Sequence, residues 1–167
     1  MAILKIINEG YRNTDAIDKL VSYVLNPNKM PSNVYGGNAI SLYTPADSMN
    51  RIKTVYGQTT GRQAIHFILA FTHKEISSVT PSILKMLGND ICTFFRDVQV
   101  LYSLHECSDQ YGDFVADGIH FHFVINPVNY TTGKKFGIDY SNSNALKTFI
   151  LQLLKEYFIS NKLFLVV

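Results

Sequence analysis

Gly118-Ile119-His120-Phe121-His122-Phe123-Val124-Ile125-Asn126 sorts into two faces when read as a β-strand, because successive side chains point to opposite sides of a sheet. Ile119, Phe121, Phe123 and Ile125 make an unbroken apolar row suited to a core. His120, His122, Val124 and Asn126 make the opposite row. Imidazoles at i and i+2 on one strand stand about 7 Å apart at the backbone, close enough to converge on one ion. A lone histidine on such a face is ordinarily a hydrogen-bonded core residue. The pair flanked by Asn126 points instead to a metal or phosphate site.

Composition sets the frame around that strand. A chain of 167 residues, 47% hydrophobic and 17% charged, fits a single globular domain with a real core. No apolar run approaches the ~20 residues that cross a bilayer, and the start Met-Ala-Ile-Leu-Lys-Ile-Ile lacks a signal-peptide layout. Cys92 and Cys107 are too few for a disulfide framework, so a cytoplasmic location is expected. The net charge of +2 permits nucleic-acid binding without arguing for it.

Helical and strand periodicities alternate along the chain, with no repeat or low-complexity linker. Strands are expected at 2–7, 63–72, 98–106, 118–126 and 163–167, and a short one near 40–43. Helices are expected at 14–25, 46–56, from Thr80-Pro81 onward, and at 144–160. Thr80 and Pro81 suit N-cap and first helical position, and Gly57 suits the residue after a helix end. Gly88 falls inside the third helix. Asn26-Pro27-Asn28 ends the first helix and opens a long loop rich in Asn, Pro, Gly and Ser. The neighbouring segments 98–106 and 118–126 suit antiparallel pairing. The fold class is therefore α+β, a mostly antiparallel sheet of about five strands flanked by helices.

A catalytic metal site needs about three protein ligands. His105 ends the strand before the His-Phe-His segment, and an antiparallel return brings it near His120 and His122. Asp117, Glu106 and His66 compete for the third place. A structural zinc site of His105, Cys107, His120 and His122 is a rival, although structural sites usually pair their cysteines closely. His66 lies with Ile68 and Ala70 on the face of its strand opposite the apolar row Ile65, Phe67, Leu69 and Phe71. His73 reads as solvated.

Several segments, taken together, resemble the MobP-type relaxases, mobilization nucleases of conjugative plasmids and integrative elements within the HUH endonuclease superfamily. They are Asp18 to Lys29, Tyr56-Gly57, Gly61 to Ile68, Val79-Thr80-Pro81, His105, the His-Phe-His strand with Asn126, and Gly133 to Phe136. The resemblance spans nearly the whole chain, read as a single nuclease domain over 1–167, the expected N-terminal part of a longer protein. It implies an HUH-like fold and a metal-dependent endonuclease that nicks single-stranded DNA at an origin of transfer through a covalent 5′-phosphotyrosine. It also implies relaxosome accessory proteins and a type IV secretion coupling protein as partners. The position matching the nucleophile is Tyr23, in Tyr-Val-Leu-Asn-Pro. His105, His120 and His122 match the metal ligands, with Mg2+ or Mn2+ as the expected ion and His66 as an assisting group. Arg62, Asn126, Lys134 and Lys135 would contact DNA.

The chain departs from the family pattern in three places. Gly118 stands where the family often has a first histidine of His-x-His-x-His, residues 108–117 form an insertion, and Met30 replaces an expected threonine. Two other functions remain open on sequence: a rolling-circle replication initiator of the same superfamily, and a non-catalytic DNA-binding or structural-zinc domain. The order of motifs, tyrosine before metal ligands, favours the relaxase.

Overall fold

In the computed structural model, residues 1–7, 10–111, 114–116 and 118–167 are described. Six strands form one sheet: β1 (Ala2–Ile7), β2 (Tyr35–Asn38), β3 (Ile65–Ala70), β4 (Val100–Glu106), β7 (Ile119–Ile125) and β8 (Leu163–Val166), in the order β2-β4-β7-β3-β1-β8. All neighbours are antiparallel except β1 and β8. The intervening β5 (Asp109–Tyr111) and β6 (Phe114–Ala116) pair only with each other, as a separate ribbon. The chain is thus α+β with a mostly antiparallel sheet, compatible with an HUH-endonuclease-like fold. No helix among the described residues is long and apolar enough to cross a membrane.

The two rows of the His-Phe-His strand face two different layers. Phe121, Phe123 and Ile125 enter the large core with Leu4, Phe67, Leu69, Val100 and Tyr102. That core is closed by α4 (Pro81–Cys92) and α5 (Tyr140–Glu156) through Leu84, Leu87, Ile91, Leu146 and Ile150. Phe67 and Phe123 stack with ring centroids 4.5 Å apart. Truncating either would cost about 3–5 kcal/mol. On the other face, α1 (Ala16–Val24) and α2 (Pro45–Val55) pack Ile17, Leu20, Val21, Val24 and Met49 against Ala64, Leu101 and Val124. The histidine row lies on this second face, beside the end of that smaller core.

Most expected elements lie where the periodicity puts them, and the differences have local causes. The short strand is at 35–38 rather than 40–43, because Gly36 and Gly37 allow β2 to press against β4. A Cβ on Gly36 would stand 2.6 Å from the Tyr102 hydroxyl. An additional helix, α3 (His73–Ile76), is started by a capping box between Thr72 and Glu75. The last helix begins earlier than expected, capped by Asp139, whose side chain accepts from the Asn142 amide at 2.8 Å. The expected helix ends hold elsewhere. Thr80 caps α4 by accepting from the Ile83 amide at 3.3 Å, and Gly57 adopts φ +64 after α2.

Gly88, placed inside a helix by the sequence, is explained by Tyr102. The buried phenol lies flat against the helix there, donating to Asn89 Oδ1 at 2.8 Å, and a Cβ on Gly88 would overlap its ring. Helix propensity alone favours alanine over glycine by about 1 kcal/mol. Overlap with a fully buried ring reverses that sign. Gly88→Ala is expected to lower unfolding stability in urea by about 1–3 kcal/mol, whereas a gain would show that the ring has room to move.

Candidate active site

Register brings the histidines together. β4 and β7 pair so that His105 stands directly opposite His120, and Ser103 opposite His122. β3 pairs with the other edge of β7, setting His66 opposite Val124 and diagonal to His122. Directly paired residues share a face, so all four imidazoles point to the α1/α2 side of the sheet. All four are fully buried.

The ribbon β5–β6 adds a residue that sequence reasoning passed over. The insertion after His105 folds back and delivers Asp109 into the histidines. Asp109 Oδ2 lies 2.7 Å from His105 Nδ1, 3.1 Å from His120 Nε2 and 3.5 Å from His122 Nε2. One ligand atom from each of His105, Asp109, His120 and His122 lies within 4.8 Å of every other, and this group could hold a metal ion. Ligands of a single ion at 2.0–2.2 Å stand about 3–4.4 Å apart, so the scale fits.

The outer nitrogens bear on which atoms could hold an ion. His105 Nε2 donates to the Val24 carbonyl at 2.9 Å, one of the carbonyls left over at the C-terminus of α1. His120 Nδ1 donates to the Gly118 carbonyl at 2.9 Å. A neutral imidazole with one nitrogen protonated presents a bare lone pair on the other. With those protons outward, the inward nitrogens His105 Nδ1 and His120 Nε2 would be free to hold a cation beside the Asp109 carboxylate; with the protons inward they hydrogen-bond that carboxylate instead.

His122 fits the same scheme through His66. His122 Nδ1 and His66 Nε2 are 2.9 Å apart, and His66 Nδ1 and the Tyr11 hydroxyl are also 2.9 Å apart. If His66 Nδ1–H donates to Tyr11, then His66 Nε2 accepts from His122 Nδ1–H. His122 Nε2 is then the bare inward nitrogen, as a ligand requires. His66 thus stands behind a ligand rather than among the ligands. Tyr11, which reaches it, carries a left-handed φ of +34, uncommon for a bulky residue and more frequent near functional sites.

Burial governs the titration of these groups. It pushes His66 down to about 3, helped by the charges of His105 and His120. Burial also lowers His122 well below the usual imidazole range and lowers His120, against the opposing pull of Asp109. All three then favour the neutral form near neutrality, the form in which His120 and His122 could ligate. For Asp109, burial favours the protonated acid, but hydrogen bonds from His122, His105, Lys29 and Tyr23 outweigh it and hold the carboxyl far below its ordinary range.

The sign for stability follows from His66. Its unfolded value is about 6.5 and its folded value about 3, so below pH 6.5 the unfolded chain takes up a proton that the folded one refuses. Stability is complete above pH 6.5 and is lost as pH falls toward 3. The metal-free protein is expected to lose about 2 kcal/mol between pH 7 and pH 5 from this residue alone, read from urea midpoints. A flat profile over that interval would contradict the assignment.

Tyr23 sits in the last turn of α1, with its ring centroid 5.6 Å from those of both His105 and His122. The Asn26-Pro27-Asn28-Lys29 segment explains its other neighbour. Asn26 caps a short 3-10 turn, Pro27–Lys29, by accepting from the Asn28 amide at 3.0 Å. That turn folds Lys29 back over the Tyr23 ring, its Nζ 4.3 Å from the centroid. Lys29 Nζ donates to the Tyr23 hydroxyl at 3.2 Å and to Asp109 Oδ1 at 2.5 Å. Burial works against the ammonium, but the Asp109 and Tyr23 hydrogen bonds more than offset it and raise its pKa. A cavity of about 640 Å³ opens beside this group, lined among others by Tyr11, Arg12, Lys19, Tyr23, His66 and Gln110.

The structure separates the remaining sequence expectations. Glu106 accepts from the Ser32 amide at 2.8 Å and is not in the cluster. Cys107 is half-buried and also outside it, so the group that gathers here is not the zinc set with Cys107. Asp117 lies outside the described residues. His73 is exposed, as expected. Gly118 adopts φ +93, a conformation suited to glycine and not to the histidine often found there, and its carbonyl orients His120.

Asn126 is fully buried, donating to the Met49 carbonyl at 3.1 Å and Gln99 Oε1 at 2.9 Å, while its Oδ1 accepts from the Val128 amide at 3.2 Å. Those bonds tie α2 and the residue before β4 to the end of β7. Lys134 and Lys135 are exposed, and Arg62 is half-buried. Lys135 Nζ donates to the carbonyls of Thr60 and Arg62, which joins the 57–63 loop to the 129–135 turn.

Buried imidazoles on central antiparallel strands, with a helix-borne tyrosine against them, form a group that could hold a metal ion. The family model for "Relaxase: MobA/VirD2-like, nuclease domain" matches residues 23–159. The chain belongs to that family. No curated protein and no solved structure matches it.

Proposed function

We propose that the protein nicks single-stranded DNA at an origin of transfer, with Tyr23 as nucleophile and His105, Asp109, His120 and His122 as the metal-holding set. The observation that carries this reading is the placement of the Tyr23 ring 5.6 Å from two of the converging imidazoles, with an ammonium on its hydroxyl. A divalent cation, when bound, supplies Lewis-acid polarisation of the scissile phosphate and offsets charge developed in the transition state. Imidazole-rich sites favour Mn2+ over Mg2+, while the carboxylate accommodates either.

The chain's own groups divide the remaining work. A phenol with an ordinary pKa near 10 is a weak nucleophile at pH 7. Lys29 stabilises the phenolate by donating to Tyr23 Oη, and Asp109 fixes both groups from the other side. Asp109 is too weak a base to keep the phenol proton, so it orients rather than deprotonates. Tyr23 Oη forms the new bond to phosphorus, and the bond from phosphorus to the 3′-oxygen breaks. The proton lost from Tyr23 is balanced by the one the departing 3′-hydroxyl gains. The phosphodiester retained on tyrosine has a good leaving group, so the strand can be rejoined.

Arg62, Lys134 and Lys135 supply positional phosphate contacts. The same reading places the protein in conjugative mobilization, with relaxosome accessory proteins and a secretion coupling protein as partners. Its test is incubation with single strands spanning the DNA around its own gene in Mn2+. A sodium dodecyl sulfate-resistant protein–DNA adduct and a single cleavage position are expected; neither appearing would reject the reading. Lys29→Met should slow adduct formation roughly tenfold or more and move the alkaline limb of its pH profile upward, toward that of an unassisted phenol. An unchanged profile would remove Lys29 from this role.

A further inference from the structure

Lys53, in the last turn of α2, is 2% exposed, and its Nζ has no hydrogen-bond partner among the described residues. An ammonium without a partner is among the most costly groups to bury. Burial pushes its pKa down to about 8, and the nearby charge of Lys135 pushes in the same direction against a weaker pull from Asp18. Asp18 is itself engaged, accepting from Asn50 Nδ2 at 3.2 Å. The immediate surroundings therefore lean positive.

Lys53 lines a cavity of about 220 Å³ with Thr14, Asn50, Thr54, Thr59 and Gln63, its Nζ buried just beneath the wall. The volume is several times the ~30 Å³ share of a water molecule. Its walls are hydroxyls and amides, with no carboxylate among the lining residues. A cation and hydroxyls, with the nearby Asp18 already engaged by Asn50, suit an anion of phosphate size.

Its position relative to Tyr23 gives the anion a source. Gln63 lines this cavity, and its amide donates to the Tyr11 carbonyl at 2.7 Å. Tyr11 and His66, three residues beyond Gln63, line the cavity that contains Tyr23. The same 59–63 segment that walls the Lys53 cavity is held by Lys135 through the Thr60 and Arg62 carbonyls. We infer that the Lys53 cavity is a phosphodiester subsite, seating a backbone phosphate of the single strand whose scissile phosphate lies at Tyr23. This rests on the reading of the chain as a single-strand nicking enzyme.

The test uses the 167-residue chain and a labelled oligo-deoxythymidine single strand, with affinity read by fluorescence anisotropy across a salt series. Lys53→Met should bind the strand roughly tenfold more weakly. Its slope of log affinity against log salt should be shallower by about 0.7, the signature of one lost phosphate contact. Mn2+ binding at the histidines should be unchanged. In the wild type, the NMR titration of the Lys53 side chain should move upward when the strand is added, a readout that stands even if the variant fails to fold. Equal affinity and slope in a folded Lys53→Met, with an unmoved Lys53 titration, would overturn the subsite and leave DNA binding intact. A wild type that does not bind the strand would overturn both. A titration that responds to inorganic phosphate but not to the strand would mark a free-anion pocket and also overturn the proposal.

Discussion

Tyr23→Phe is expected to fold, bind Mn2+ and bind single-stranded DNA, yet to lose strand cleavage by roughly a thousandfold or more. The substitution removes one oxygen. That oxygen accepts from Lys29 at 3.2 Å and hydrogen-bonds Asp109, and it is the atom assigned to attack phosphorus. The ring remains between His105 and His122, so the aromatic packing at 5.6 Å survives and the stability cost should stay near about 1 kcal/mol. Separation of binding from cleavage is what makes the variant informative. A general loss of DNA binding, or cleavage retained near the wild-type rate, would move the nucleophile elsewhere. Denaturing gel assays of a cleaved single strand, with anisotropy for binding, read both quantities.

Asp109→Asn is expected to have the next largest effect, because it keeps the shape of the side chain and removes its charge. Asp109 is the one carboxylate among three imidazoles, and it touches every one of them within 3.5 Å. Losing that anion should weaken Mn2+ binding roughly 10–100-fold, a range typical of residues that support a metal site. Lys29 loses its ion pair at the same time, so the ammonium over Tyr23 is less firmly held. Cleavage should fall further than metal loading alone explains, and saturating Mn2+ should restore only part of it. Titration calorimetry with Mn2+, beside cleavage at saturating metal, separates the two losses. Wild-type affinity in the variant would exclude Asp109 from the metal-holding set.

Strand periodicity and local punctuation made part of the site readable in the sequence. The alternation of 118–126 was enough to divide His120 and His122 from the phenylalanine core, because strand periodicity is strict and both faces are buried. Antiparallel return then located His105 opposite His120. Local punctuation gave Thr80-Pro81 and Gly57 correctly, since caps and left-handed positions depend on a few neighbouring atoms.

What depended on distant contacts was not readable. Asp109 lies in the 108–117 insertion, and its meaning emerges only when β5 and β6 fold back. A carboxylate four residues after His105, in a segment otherwise read as loop, was the signal available for it. Lys29 belonged to a recognised motif, but its reach to Tyr23 needs the 3-10 turn at Pro27. Asn126 reads from sequence as a ligand contact because it is an amide on the histidine face of a strand. Burial turns it into a tie between α2, the residue before β4 and the end of β7. The glycines of β2 were read as loop because glycine disfavours strands, and here close approach to Tyr102 overrides that preference.

The central claim is that Tyr23 becomes covalently joined to DNA beside the histidine cluster, and mass spectrometry of the trapped adduct tests it most directly. Trypsin should release Leu20–Lys29 as one peptide. After nuclease digestion of the adduct, that peptide should carry a nucleotide phosphate on Tyr23, and Tyr23→Phe should yield no adduct. A nucleotide found instead on Tyr11, the other tyrosine that lines the same cavity, or on no tyrosine at all, would contradict it.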